Sequence, residues 1–186
     1  DNNGILVRED KLVSPLLSTD DYFGHSVSIY DDYIVVGAIY EQAQNGDYVG
    51  AVHIFKKNAT GDWVFNQTIF APSPNAGDEF GYAVNIFEDK IIVGAHKSGT
   101  TNKGSVHVYQ LNTNTSNWDY IQELDVATSQ ATNRQFGFSV DINNSFAVIG
   151  ALALNDAFLF ELDTGNWVHN SSFTNALNVS GGTGAS

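Results

Sequence analysis

The chain contains no cysteine and no methionine, only 3 prolines, and only 8 basic residues against 21 acidic ones. Without cysteine there is no disulfide framework, no thiolate metal site and no cysteine nucleophile. A formal charge of −13 removes any electrostatic attraction to nucleic acid or to anionic membrane surfaces. Apolar runs are too short for a membrane-spanning helix. No stretch of useful length carries a helical period of 3.6. Gly-x-Ser-x-Gly, phosphate-loop and His-Glu-x-x-His patterns are also missing, which removes the commonest hydrolase, nucleotide and zinc-protease signatures. No cofactor and no metal site is expected. A chain that starts at Asp1 is expected to have lost an upstream segment.

Charged residues make up 16% of the 186 residues, and their share is taken by Asn, Ser, Thr and Gly, the residues of turns and strand ends. Within this composition lies a repeat. Phe-Gly occurs at Phe23-Gly24, Phe80-Gly81 and Phe136-Gly137, spaced by 57 and 56 residues. Gly-Ala follows 14 residues after each Phe, at Gly37-Ala38, Gly94-Ala95 and Gly150-Ala151. The intervening stretches read FGHSVSIYDDYIVVGA, FGYAVNIFEDKIIVGA and FGFSVDINNSFAVIGA.

Each stretch is a hairpin by its chemistry. Val27 and Ile29 alternate with Ser26 and Ser28, the period of a half-buried strand. Asp31-Asp32, Glu88-Asp89 and Asn143-Asn144 supply the tight polar turn. The apolar run from Tyr33 to Ala38 suits a strand buried on both faces. A second hairpin follows: GAVHIF, GSVHVY and a degraded NDAFLF, then a polar turn and a strand that starts at Trp63, Trp118 or Trp167. The expected fold is all-β: three four-stranded antiparallel units of the kind that form propeller blades. A β-sandwich explains the strands but not the repeated registers. The expected boundaries are a stray N-terminal strand at 1–14, blades at 15–71, 72–127 and 128–175, and a truncated linker at 176–186.

These motifs resemble the FG-GAP repeat family of integrin α heads and many microbial secreted proteins. The resemblance implies a β-propeller with an extracellular recognition or scaffolding role. The family's proline after Gly-Ala is replaced by Ile39, His96 and Leu152, and the first turn lacks the spaced carboxylates a calcium loop needs, so calcium binding is not carried over. Closed propellers need about four to eight blades. Three blades imply a fragment of a longer propeller, copies that close a ring together, or an N-terminal strand donated to a neighbour to build a fibre. The expected partners are therefore other proteins or copies of this chain.

Asn-x-Ser/Thr sequons at Asn58, Asn66, Asn114, Asn143, Asn170 and Asn178 number six, against roughly three expected by chance. They point to a secreted glycoprotein carrying N-linked glycans, with Asn66 the awkward one because it lies within a strand. The acidic pairs Asp20-Asp21 and Asp78-Glu79 read as solvated turn residues rather than catalytic carboxylates. His53 and His107 share one register and read as packing, as do the three Trp residues. His25, Tyr82 and Phe138 share an aromatic slot. The expected function is non-catalytic recognition or scaffolding; a fibre subunit is the alternative, and a carbohydrate-active enzyme domain comes last.

Overall fold

The computed structural model describes residues 11–16, 20–126 and 133–174. Among the described residues, twelve strands form three separate four-stranded antiparallel sheets, each in simple sequential order and not closed into one barrel. Blade 1 comprises β1 (Phe23–Tyr30), β2 (Tyr33–Ala38), β3 (Ala51–Lys57) and β4 (Trp63–Ile69). Blade 2 comprises β5 (Ala83–Phe87), β6 (Lys90–Ala95), β7 (Ser105–Asn112) and β8 (Asn117–Leu124). Blade 3 comprises β9 (Phe136–Ile142), β10 (Phe146–Ala151), β11 (Asp156–Asp163) and β12 (Asn166–Thr174). The all-β, FG-GAP-like architecture is as expected. The N-terminal strand at residues 1–14 falls mostly outside the described residues, as does all of the linker at 176–186.

Each sheet owes its shape to a few local devices. Asp31 and Glu88 turn the first hairpin in the left-handed region, with φ of 49° and 52°. Asn143 instead closes its turn with its side chain, whose Oδ1 accepts from the backbone N–H groups of Ser145 and Phe146 at 2.8 Å each. The outer hairpins all carry a bulge at the same place, leaving Asn66, Ile121 and Asn170 without a partner in the ladder.

The core lies between the sheets. Val35, Val52, Ile54 and Ile69 of blade 1 meet Val84, Ile86, Ile91 and Val93 of blade 2. Ile92, Val106, Val108 and Leu124 of blade 2 meet Ile142, Ala147, Ile149 and Phe158 of blade 3. Blade 2 thus has a leading face toward blade 1 and a trailing face toward blade 3, and the same two faces can be named on blades 1 and 3 by register. The outermost faces have no blade against them among the described residues. This corrects the pattern expected for β1. Ser26 and Ser28 point toward blade 2, where the Ser26 hydroxyl donates to Gly81 O at 2.7 Å and the Ser28 Oγ accepts from Ile86 N at 3.2 Å. Val27 and Ile29 consequently face outward and are 66% and 62% exposed.

Candidate interaction surface

Three features build the junctions between blades. The first is the Phe-Gly turn. The residue before the Phe sits at positive φ (Tyr22 57°, Glu79 55°, Gln135 51°), and so does the glycine after it (Gly24 93°, Gly81 89°, Gly137 88°). This geometry pushes the Gly81 carbonyl against Gly37 of blade 1, and the Gly137 carbonyl against Gly94 of blade 2, where any Cβ would collide with it. The second is a glutamine clamp. Gln67 accepts from Trp118 N at 2.7 Å and donates to Trp118 O at 3.2 Å. Gln122 does the same to Trp167, at 2.9 and 2.8 Å. The third is the aromatic slot: the His25 and Tyr82 rings lie 4.7 Å apart, and Tyr82 and Phe138 5.0 Å apart. The Trp residues are junction core as expected, except that Trp63 is only half-buried because its side of blade 1 is open.

The acidic pairs are not solvated turns. Asp21, Asp78 and Glu79 are buried, while Asp20 is exposed. Counted back from the Phe, Asp21, Asp78 and Arg134 hold one position, and all three are buried. Asp21 Oδ1 accepts from Phe23 N at 3.0 Å, and Asp78 Oδ2 from Asn75 N at 2.8 Å. Arg134 donates to Val126 O and to Asp125 at 2.8 Å each. Glu79 takes Lys97 Nζ at 2.7 Å and lies 3.7 Å from His96 Nε2. The position is a polar anchor beneath the Phe-Gly turn, and burial is affordable because each group is hydrogen-bonded.

His53 and His107 are packing residues with different supports. His53 reaches Thr68 Oγ1 at 2.8 Å and buried Glu41 at 3.2 Å. Burial lowers its pKa, against the pull of Glu41. Nothing local in the sequence marks Glu41, which lies in the loop between β2 and β3 and meets His53 only through the fold. In blade 2, His107 keeps only Ser105 Oγ, 3.0 Å from Nε2, and its buried Nδ1 has no hydrogen-bond partner. Burial pushes its pKa down to about 4. It lines a cleft of about 170 Å³ with Asp78, Ser98, Tyr120 and Glu123. A Ser–His pair invites comparison with a nucleophile and its base. Here the serine is buried and nothing orients the far nitrogen, so no triad is assembled. Among the described residues, no group of three or more His, Cys, Asp or Glu side chains is placed to hold a metal ion.

The outward faces expose apolar side chains at registers that are sealed inside the molecule. Val84 and Ile86 of blade 2 are 8% and 3% exposed, yet Val27 and Ile29 at the same register of blade 1 are open. On the far side, Ile69 and Leu124 are 4% and 1% exposed, whereas Phe173 at their register is 58% exposed. Phe173 borders a shallow cavity of about 430 Å³ shared with Gly150, Leu152 and Asn155.

The FG-GAP repeat profile matches residues 7–55 and 63–109, together just over half of the chain. The chain belongs to the FG-GAP repeat family. No curated protein sequence matches it. The third copy, residues 136–174, lies outside the matched segments but folds into the same sheet order. The chain is therefore a β-propeller-like module of three similar four-stranded sheets, the first two of which the FG-GAP profile matches. Such repeats typically occur in extracellular proteins and are generally non-catalytic. Among the described residues, no helix is long and apolar enough to cross a membrane.

Of the expected glycan sites, Asn58, Asn114, Asn143 and Asn170 are exposed, the first three in or beside turns and Asn170 at the β12 bulge. Asn66 sits half-buried at the β4 bulge with its Oδ1 enclosed and unpartnered. Asn178 lies outside the described residues.

Proposed function

We propose that this chain is a non-catalytic module of an extracellular glycoprotein, serving recognition or scaffolding through protein contacts on its open sheet faces. The observation that carries this reading is the exposure of Val27 and Ile29 at positions that are sealed in the next blade. Two large apolar side chains left in water side by side on one sheet face fit a contact surface. Two features support the extracellular setting: the family's usual location and the exposed turn positions of Asn58, Asn114 and Asn143. N-linked glycans there would leave both sheet faces free.

The test uses the full chain secreted from a eukaryotic host. Intact mass is measured before and after enzymatic removal of N-glycans, and saturable binding of the labelled chain is measured on the outer surface of the cells that produce it. The expected result is a glycan mass lost stepwise in Asn58→Gln and Asn114→Gln, and binding weakened at least about tenfold by Val27→Asp with Ile29→Asp. An unmodified mass together with binding indifferent to the aspartates would overturn the proposal.

A further inference from the structure

Beside the first Phe-Gly turn, the loops of blade 1 enclose a cavity of about 300 Å³ lined by Asp20, Tyr22, Tyr40 and Tyr48. We propose that this cavity is an aromatic cage for a small quaternary ammonium compound of the choline type. It shares no lining residue with the exposed Val27 and Ile29 face, and neither reading depends on the other.

The tyrosines belong to blade 1 alone. Tyr22 directly precedes the Phe of Phe-Gly, where blade 2 has Glu79 and blade 3 has Gln135. Tyr40 lies two residues after Ala38, where Lys97 follows Ala95 and Ala153 follows Ala151. Tyr48 lies two residues before Gly50, where Asn102 precedes Gly104. Asp20 holds the place of Gly77 and Asn133. All three copies fold into the same four-stranded sheet, so the repeat does not require aromatic rings at these places. In blade 2 the first two registers hold an ion pair, Glu79 with Lys97 Nζ at 2.7 Å. In blade 1 they hold two rings set edge to face, with centroids 4.8 Å apart and planes at 82°. Aromatic surface thus stands where the next blade carries its own cation.

The cage is positioned by backbone hydrogen bonds. Tyr40 N donates to Asp21 O at 3.1 Å, His25 N to Tyr22 O at 3.0 Å, and Gly77 N of blade 2 to Tyr48 O at 2.7 Å. Tyr22 and Tyr48 are nevertheless 57% and 52% exposed, so two of the three rings stand in water. An aromatic face attracts a cation through its quadrupole, and a cation that is weakly hydrated gains most from it. A quaternary ammonium has no N–H to satisfy, which suits a wall of three rings. The charged lining group is Asp20, and among the described residues no hydrogen bond or ion pair engages its carboxylate. Among the same residues no Lys or Arg lies over the three rings. Lys97, which Tyr40 influences electrostatically, is held by Glu79 and does not line the cavity. The room is sufficient, since an apolar cavity of ~150 Å³ accepts benzene. Charge selects within the class. Asp20 and the net charge of −13 favour a bare cation such as choline over phosphocholine, whose phosphate they repel.

The experiment titrates the full chain with choline chloride, followed by calorimetry and by saturation-transfer NMR on the choline methyl protons. Phosphocholine, glucose and the uncharged analogue of choline with carbon in place of nitrogen are titrated alongside. The native chain is expected to bind choline saturably, and the uncharged analogue at least about tenfold more weakly. Phosphocholine is also expected to bind more weakly than choline. Tyr22→Leu and Tyr40→Leu are each expected to weaken choline binding at least about tenfold, whereas Tyr40→Phe keeps the ring and stays within about twofold. Asp20→Asn is expected to weaken binding and to reduce its sensitivity to salt. If Tyr40→Leu fails to fold, Tyr22→Leu with Tyr48→Leu, at the two exposed rings, reads the same loss. No saturable choline binding by the native chain would overturn the proposal. So would equal affinity for the uncharged analogue, an affinity indifferent to the leucines, or binding of glucose in place of choline. Cell-surface binding through Val27 and Ile29 is a separate measurement, so the cage and the proposed function fail independently.

Discussion

Ile29 and Ile86 occupy the same place in successive blades, six residues after the Phe of Phe-Gly. One is 62% exposed and the other 3%. Their strands have the same alternation and pair with equivalent partners, Ile34 and Ile91. The difference belongs to the junction, not to the strand. Val27 and Ile29 show what a neighbouring blade adds at their register, where Val84 and Ile86 are sealed, while Val36, His53 and Phe55 on the same face of blade 1 are buried with no described blade against them. Stability in such a stack is the sum of sheets and junctions, with the outward faces contributing little.

The sharpest way to break the comparison is to truncate both residues. Ile86→Ala removes a sealed side chain between two sheets and is expected to cost about 3 kcal/mol. Ile29→Ala is expected to cost less than about 0.5 kcal/mol, because its side chain is already in water. Chemical denaturation of the two variants measures both. Equal losses would mean that blade 1 is covered in solution.

Gly94 and Gly150 make the same contrast in a steric form. A methyl at Gly94 would meet the carbonyl of Gly137, a backbone atom fixed by the next blade. At Gly150 the nearest atom is the Ser139 hydroxyl, a side chain able to rotate away. Gly94→Ala is expected to destabilise by about 2–3 kcal/mol through overpacking, and Gly150→Ala by less than about 1 kcal/mol. Melting temperatures of the two variants decide it, and a Gly150→Ala loss as large as that of Gly94→Ala would place another backbone against blade 3.

The clamps come next. Gln122→Ala leaves Trp167 N and O without their side-chain partners at a closed junction and is expected to cost about 2 kcal/mol. Ser171→Ala, at the same register of blade 3, is expected to change stability by less than about 0.5 kcal/mol. Denaturant midpoints compare the pair.

The blades were legible in the sequence because their signals are local. Two-residue polar turns, period-2 strands and the Phe-Gly and Gly-Ala spacings all act within a hairpin, and the structure follows them strand for strand. The junctions were not legible, because their chemistry is shared between residues far apart in the chain. Nothing adjacent to Gln67 indicates that it grips Trp118. Asp78 and Glu79 look like surface acids until Asn75 and Lys97 fold over them. Arg134 breaks the acidic pattern in sequence but fills the same buried position. Aligning the copies by their Phe would have exposed that position.

The smallest effect separates His53 from His107. Both are buried and uncharged-favouring, but Glu41 opposes the shift at His53, whereas burial alone acts on His107. With a folded pKa of about 4 against an ordinary value of 6.5, His107 binds its proton more readily in the unfolded chain. Its contribution to stability is therefore complete above about pH 6.5 and is lost progressively as the pH falls toward 4. Between pH 7 and 5.5 the loss from this residue amounts to about 1 kcal/mol. His107→Gln is expected to flatten the acid limb of the stability curve by that amount, whatever it does to stability at pH 7. His53→Gln is expected to flatten it less, since Glu41 offsets part of the burial. Denaturation curves of the two variants and the native chain, collected from pH 7 to 5.5, measure the difference in slope. An unchanged slope in His107→Gln would show that water reaches Nδ1 through the cleft beside Glu123, and that the junction between blades 1 and 2 is less sealed on this side than at Ile86.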